Sequence, residues 1–123
     1  MTAEALKEAG FTVTILSKDE QRTKTAAEEV SCEYVVADVS DSGAVEKAFN
    51  EAEKINGQVD ILINNAGVWI QGPIENDDPK KVKRALEVNT LGPIILYANR
   101  GASNEKTKSR PNYKCYFAGW TIC

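Results

Sequence analysis

Polar side chains with ligand-holding chemistry follow each of several apolar runs in this chain. Lys18 comes after FTVTIL, Asp38 after EYVVA, and Asn64-Asn65 after VDILI. A carboxylate accepts hydrogen bonds, an amide both donates and accepts, and an ammonium offers charge to an anion. These groups hold a polar ligand more readily than they attack one. Ala66 and Gly67 follow the asparagine pair with almost no side chain, which suits a backbone against which something must lie closely. Histidine is absent, which excludes histidine triads, histidine metal sites and imidazole acid–base catalysis. Taken singly, each of these segments also reads as an ordinary polar turn.

Asn89 is a further candidate. On a helix after Pro79 the apolar stripe runs Val82, Ala85, Leu86, and its next position is Asn89. An amide buried there without partners would cost about 1–3 kcal/mol, so it must find some. An asparagine that ends a helix before Gly92-Pro93 accounts for the same residue, and the two readings are compatible.

The elements that must position these groups alternate. Residues 2–9 read as a helix with Ala5, Leu6 and Ala9 on one face, closed by Gly10. Phe11–Leu16, Glu33–Ala37 and Val59–Ile63 are rich in β-branched residues and read as strands. Between them, a helix capped by Ser17 or Asp19 runs to about Val30. A second, capped by Ser40, Asp41 or Ser42, carries Val45, Ala48, Phe49, Ala52 and Ile55 at amphipathic spacing as far as Asn56-Gly57. Helices are also expected from Asp77 or Pro79 to Glu87 and over Ile94–Arg100. Near-continuous apolar strands alternating with helices predict an α/β, doubly wound parallel sheet covered on both faces. In such a sheet ligands bind beyond the carboxyl ends of the strands, where the polar groups above fall.

The 123 residues make one domain, 42% hydrophobic and 27% charged with a formal charge of −3, the profile of a globular protein. No basic excess exists to engage nucleic-acid phosphates, and no apolar run approaches the roughly 20 residues of a membrane span. Cys32, Cys115 and Cys123 are widely spaced and odd in number, which points to reduced thiols and a cytoplasmic setting. No residue set suggests a metal site. Gly101–Asn112 is polar and basic without apolar period, so residues 101–123 are expected to form a divergent tail behind a domain of residues 1–100.

DILINNAG, with ADVSD (Ala37–Asp41) before it and LEVNTLGPI (Leu86–Ile94) after it, resembles the short-chain dehydrogenase/reductase family, over roughly Thr2–Arg100. The resemblance implies a Rossmann-type fold and hydride transfer between NAD(P) and a small alcohol or carbonyl substrate. It also implies roles. Asp38, with Val39, would hold the adenine amino group. Asn65, Ala66 and Gly67 would line the adenosine side of the cofactor. Asn89 is similar to the asparagine of the family's catalytic tetrad. Lys18 stands where a basic residue often meets the 2′-phosphate of NADP, and no acid occupies the position directly after Leu16, so NADP is favoured over NAD. Trp69, Ile70 and Gln71 would border the substrate pocket.

The chain departs from the family pattern at both ends. The eight glycines include no GxG pair, so the TGxxxGxG phosphate loop is not present, and no tyrosine lies four residues before a lysine. The expectation is an incomplete Rossmann-type domain that does not turn over as an isolated chain. The alternative is a non-catalytic form acting through other subunits, with a homo-oligomer built on the helices around Val82–Arg100. A receiver-like domain shares the alternation, but no acidic cluster accompanies Asp38. In the family's strand order, the strand not present here would separate the first and third strands seen. Those two must close on each other, recruit Tyr113–Phe117, or pair with another chain.

Overall fold

A computed structural model of the chain describes residues 2–104 and 114–118. The elements run α1 (Thr2–Glu8), β1 (Thr12–Ser17), α2 (Glu20–Val30), β2 (Glu33–Val36), α3 (Ser42–Asn56), β3 (Ile61–Asn64), α4 (Pro79–Leu86), α5 (Gly92–Asn104) and β4 (Lys114–Ala118). A short 3-10 turn, Ile74–Asn76, precedes α4, and a π turn, Glu87–Leu91, joins α4 to α5. Each expected strand and helix of residues 2–100 is present, with ends shifted by a residue or two.

Local chemistry explains the helix starts. Asp19, Asp41 and Asp78 occupy the N-cap positions of α2, α3 and α4, and their carboxylates accept from the backbone N–H of Arg22, Ala44 and Lys80 at 2.9, 3.0 and 2.9 Å. Each satisfies a donor that has no partner within its own helix. Pro79, fixed in φ and lacking an N–H, fills the first position of α4 at no cost to the ladder.

The sheet order is β2-β1-β4-β3 with every pairing parallel. β4 therefore fills the gap between β1 and β3, pairing Thr12–Leu16 with Lys114–Ala118 on one side and Ile61–Asn64 with Cys115–Ala118 on the other. Of the three ways to satisfy those edges, the fold uses recruitment of the C-terminal stretch. The expected tail thus contributes a central strand, and its Gly101–Asn104 portion is helical, because α5 continues four residues past Arg100. Residues 105–113 and the terminal 119–123, Trp120 included, lie outside the described residues.

β1 is buried on both faces, as its unbroken apolar run requires. Val13 and Ile15 pack with Ala3, Ala26 and Ala27 beneath α1 and α2, while Leu16 joins Val35, Val45, Phe49, Ala52, Val59, Val88 and Leu96 beneath α3 and α5. Thr14 is fully buried on the second face, and its hydroxyl accepts from Asn56 Nδ2 at 2.9 Å, which ties the end of α3 to the sheet.

Three expectations about faces need correcting. On α1 the buried residue is Ala3, with Leu6 half-buried beside it, and Ala5 and Ala9 are exposed. Ile55 is exposed at the end of α3, where the helix runs past the edge of the core. On α4 the stripe Val82, Ala85, Leu86 does not lead to a buried Asn89: Leu86 is 61% exposed, Asn89 is exposed, and the core residue is Val88. The inward side of α4 runs through half-buried Arg84 and Ala85 to Val88, and a π turn begins after Leu86. Pro93 has no N–H to return to the carbonyl four residues earlier, so the helix widens, and the Gly92 N–H reaches back to the Glu87 carbonyl instead.

Candidate functional site

The carboxyl ends of β1, β2 and β3 converge on one narrow cavity of about 60 Å³, lined by Ser17, Lys18, Ala37, Asp38, Val39, Ala66, Gly67, Val68, Arg84 and Val88. Lys18, Asp38, Val39, Ala66 and Gly67, separated by up to 49 positions in sequence, are thereby brought together. Asn65 precedes them on the exposed rim and does not line the cavity. Ser17 and Lys18 also open onto a shallow groove of about 440 Å³ beside α2, with Asp19, Arg22 and Thr23 along it.

Two devices shape this edge of the sheet. The first holds Asp38. The Ala37 N–H extends the β1–β2 ladder to the Ser17 carbonyl at 3.0 Å, and the chain then turns, with the Asp41 N–H donating to the Asp38 carbonyl at 3.0 Å. Inside that turn Asp38 Oδ1 accepts from the Ser40 N–H at 3.0 Å and from the Ser40 hydroxyl at 2.7 Å. From α4, Arg84 donates through Nη2 to Asp38 Oδ2 and through Nη1 to Ser40 Oγ. Burial alone would push the Asp38 carboxyl up, but the hydrogen bonds from Ser40 and Arg84 and the guanidinium charge outweigh it and hold the pKa below the usual aspartate value.

The second device involves Asn89. Its Oδ1 accepts from the Val68 N–H at 2.7 Å, and its Nδ2 donates to the Val68 carbonyl at 2.8 Å. One amide thus satisfies both backbone groups of a residue in the loop after β3, as a neighbouring strand would. The partners expected for Asn89 exist, although it is not buried. This contact fixes the loop that carries Ala66, Gly67 and Val68 against the π turn. Trp69, 76% exposed, and Ile70 and Gln71 lie beyond it, along an open surface depression with Asn76, Asp78 and Lys81.

Arg84 and Ser40 were not apparent as site residues from the sequence. Only once Val88 is seen to be buried does the helical period single out Arg84, which lies four residues earlier and so shares its face, one turn closer to Asp38. Among the described residues no cluster of histidine, cysteine, aspartate and glutamate could hold a metal ion, and no helix is long and apolar enough to cross a membrane.

A parallel α/β sheet with polar and small residues gathered at its carboxyl edge is a Rossmann-type arrangement, in which that edge is where ligands bind. The short chain dehydrogenase family profile matches residues 1–103, and the chain belongs to that family. Dehydrogenase/reductase SDR family member 7B of Xenopus tropicalis is 30% identical over 105 residues, covering 76% of this chain and 34% of that protein. The Bos taurus protein of the same name is 42% identical over 62 residues, or 50% of this chain and 19% of its own. Among solved structures, a gluconate 5-dehydrogenase from Burkholderia cenocepacia in complex with NADP and tartrate superposes with a TM-score of 0.73 at 28% identity. It is matched over 81% of this chain and 41% of its own. An alcohol dehydrogenase from Thermococcus sibiricus complexed with 5-hydroxy-NADP gives 0.75 at 25% identity, over 82% and 46%. The chain therefore spans between a fifth and a half of the length of these relatives.

Proposed function

We propose that this chain forms the adenosine-binding part of an NAD(P)-dependent short-chain oxidoreductase. The observation that carries the reading is the convergence of Lys18, Asp38, Ala66 and Gly67 on one cavity at the carboxyl edge of the sheet. The residues fit the adenosine half of a dinucleotide. Asp38 offers an acceptor to the amino group of adenine, Val39 and Val88 offer apolar walls, and Ala66-Gly67 leave the backbone open to a ribose. Lys18 and Arg22, both on the groove beside α2, favour the 2′-phosphate of NADP over the free hydroxyl of NAD. The two solved relatives whose names mention NADP support the same choice.

When bound, the nicotinamide of such a cofactor supplies or accepts a hydride at the carbon of a small alcohol or carbonyl. Asn89 is the chain's contribution to the proton-handling side of that chemistry, held in place by Val68. No tyrosine precedes a lysine by four residues in these 123, so the reading assigns cofactor binding, without turnover, to this chain alone. A second reading, association with further subunits, rests on Leu86, Leu91, Ile94 and Tyr97, which are exposed along α4, the π turn and α5 at 61, 44, 60 and 69%. Cytoplasmic residence remains part of the proposal.

Titration with NADPH and NADH, followed by fluorescence transfer from tryptophan, tests the reading. Saturable micromolar binding of NADPH, weaker for NADH and lost in Asp38→Ala, is expected. Absence of binding at millimolar cofactor overturns it. Light scattering on the same samples reports the second reading, for which a defined oligomer dispersed by Ile94→Glu and Tyr97→Glu is expected.

A further inference from the structure

The Asp38 carboxylate is already well supplied with donors. An ionised carboxylate offers about four acceptor positions on its two oxygens. Oδ1 has both of its own filled, by the Ser40 N–H and the Ser40 hydroxyl, and Oδ2 has one filled by Arg84 Nη2. The Ser40 hydroxyl gives its single proton to Asp38, and its oxygen accepts from Arg84 Nη1. One guanidinium fork therefore spans the carboxylate and the hydroxyl and fixes the direction in which that proton points. A lysine keeps the charge but lacks the rigid planar pair of nitrogens that meets both oxygens in fixed directions.

We propose that Arg84 is the positioning residue of the base subsite: its fork holds Asp38 as an acceptor-only carboxylate with one open position on Oδ2, so the subsite takes a purine bearing a 6-amino group and rejects one bearing a 6-carbonyl. This rests on the adenosine-binding reading above. The reasoning is one of donor and acceptor count. Adenine presents N–H donors at its 6-position, which an open carboxylate position accepts. Hypoxanthine presents a carbonyl oxygen there, which meets a negative acceptor with no proton to offer. Without Arg84 the Ser40 hydroxyl is released to turn, the carboxylate takes up a proton at a higher pH, and both routes put a donor at the Asp38–Ser40 position, which in the native chain faces the base with a carboxylate acceptor.

The charged groups facing Asp38 support a guanidinium-held carboxylate. Arg84 comes from α4 and Lys18 from the end of β1, both lining the cavity, and the other lining residues from β2, the loop after β3 and the π turn carry no charge. Glu87 faces the fork, its carboxylate 3.9 Å from Arg84 Nη1, and does not line the cavity.

The test uses AMP and IMP as probes with the full chain, by calorimetric titration between pH 4 and 8, and follows the Asp38 carboxyl by NMR in the same variants. The native chain is expected to bind AMP at least about tenfold more tightly than IMP. In Arg84→Gln the ratio falls to within about threefold, and Asp38 titrates at a higher pH. Arg84→Lys, which keeps the charge and drops the fork, gives an intermediate ratio and guards against a variant that fails to fold. An unchanged AMP-to-IMP ratio in Arg84→Gln, or an Asp38 titration that does not move, overturns the role of Arg84. If the native chain binds neither nucleotide, the adenosine-binding reading fails and the base selection with it, while the Asp38 titration still shows whether Arg84 holds the carboxylate.

Discussion

Gly92→Ala is expected to destabilise the fold through a single contact, and that contact can be isolated. Gly92 opens α5 with ordinary helical φ of −53°, so no positive-φ strain arises, and a Cβ held in helical conformation directly before Pro93 adds only a modest steric cost of its own, the same in every background. Space is the constraint: a Cβ at position 92 would lie 2.9 Å from Val39 Cγ2 and 3.3 Å from Val39 Cβ. Carbon atoms prefer about 3.5–4.0 Å, so the overlap with Cγ2 is roughly 0.6–1 Å. Val39 cannot swing away freely, because it is 6% exposed and β-branched, with one favoured χ1. Overpacking of this kind costs about 1–3 kcal/mol. The gain from alanine over glycine in a helix offsets up to about 1 kcal/mol of that. The net expectation is a loss of about 1–2 kcal/mol, read as a lower urea midpoint at unchanged slope in far-ultraviolet circular dichroism. Val39→Ala alone removes buried methyl groups and also destabilises, by about 1–2 kcal/mol. In that background Gly92→Ala should cost much less than in the native chain, so the double-mutant cycle yields a coupling of about 1–3 kcal/mol. If Gly92→Ala instead stabilises by the same amount in both backgrounds, the packing of α5 against the turn after Asp38 is wrong.

The Thr14–Asn56 hydrogen bond makes an asymmetric pair of variants. Asn56→Ala leaves the fully buried Thr14 hydroxyl without its partner and should cost about 1–3 kcal/mol, whereas Thr14→Val with Asn56→Ala, which removes both polar groups, should cost less than Asn56→Ala alone in the same urea titration. Asp38 sets a pH dependence. Its carboxyl pKa is lowered in the folded chain relative to about 3.9 in the unfolded one, so its contribution is fully present above that value and is lost as pH falls through the folded pKa. Asp38→Asn should therefore flatten the acid limb of stability below about pH 4, and an unchanged limb contradicts the Ser40–Arg84 network. Tyr116→Pro removes a backbone donor from a strand paired on both sides, at Thr14 and Leu62, so it should abolish cooperative unfolding in the same urea titration.

Much of this fold was legible because its signals are local. β-branched runs marked β1, β2 and β3, cap candidates that included Asp19 and Asp41 marked the starts of α2 and α3, Pro79 marked that of α4, and the spacing of Val45, Ala48, Phe49 and Ala52 marked the buried face of α3. The place of β4 was not local. The sequence required that the β1 and β3 edges be satisfied, but three partners met that requirement equally, and backbone hydrogen bonds carry no sequence information by which to choose. The described chain chooses its own Lys114–Ala118, a segment whose weak alternation gave no sign of a central position.

The candidate site divides along the same line. Lys18, Asp38, Ala66 and Gly67 could be placed together from the sequence because each directly follows a strand, and parallel strands bring their carboxyl ends to one edge whatever their order. Arg84 could not, because it reaches the site from the side of a helix, and its face depends on helical phase. Extrapolating a 3.6-residue period from Val82 and Leu86 places Asn89 inside and gives Arg84 no role. The inward face runs through Arg84 and Ala85 to Val88, with Leu86 exposed, so the phase departs from that extrapolation within α4, before the π turn begins. That phase leaves Arg84, one turn before Val88, over Asp38, and the π turn presents the Asn89 amide to Val68. Pro93 therefore bears on one device alone: replacing it by alanine should loosen the Asn89–Val68 clamp, read as faster hydrogen exchange at the Val68 amide, while the Ser40 amide held by Asp38 keeps its protection.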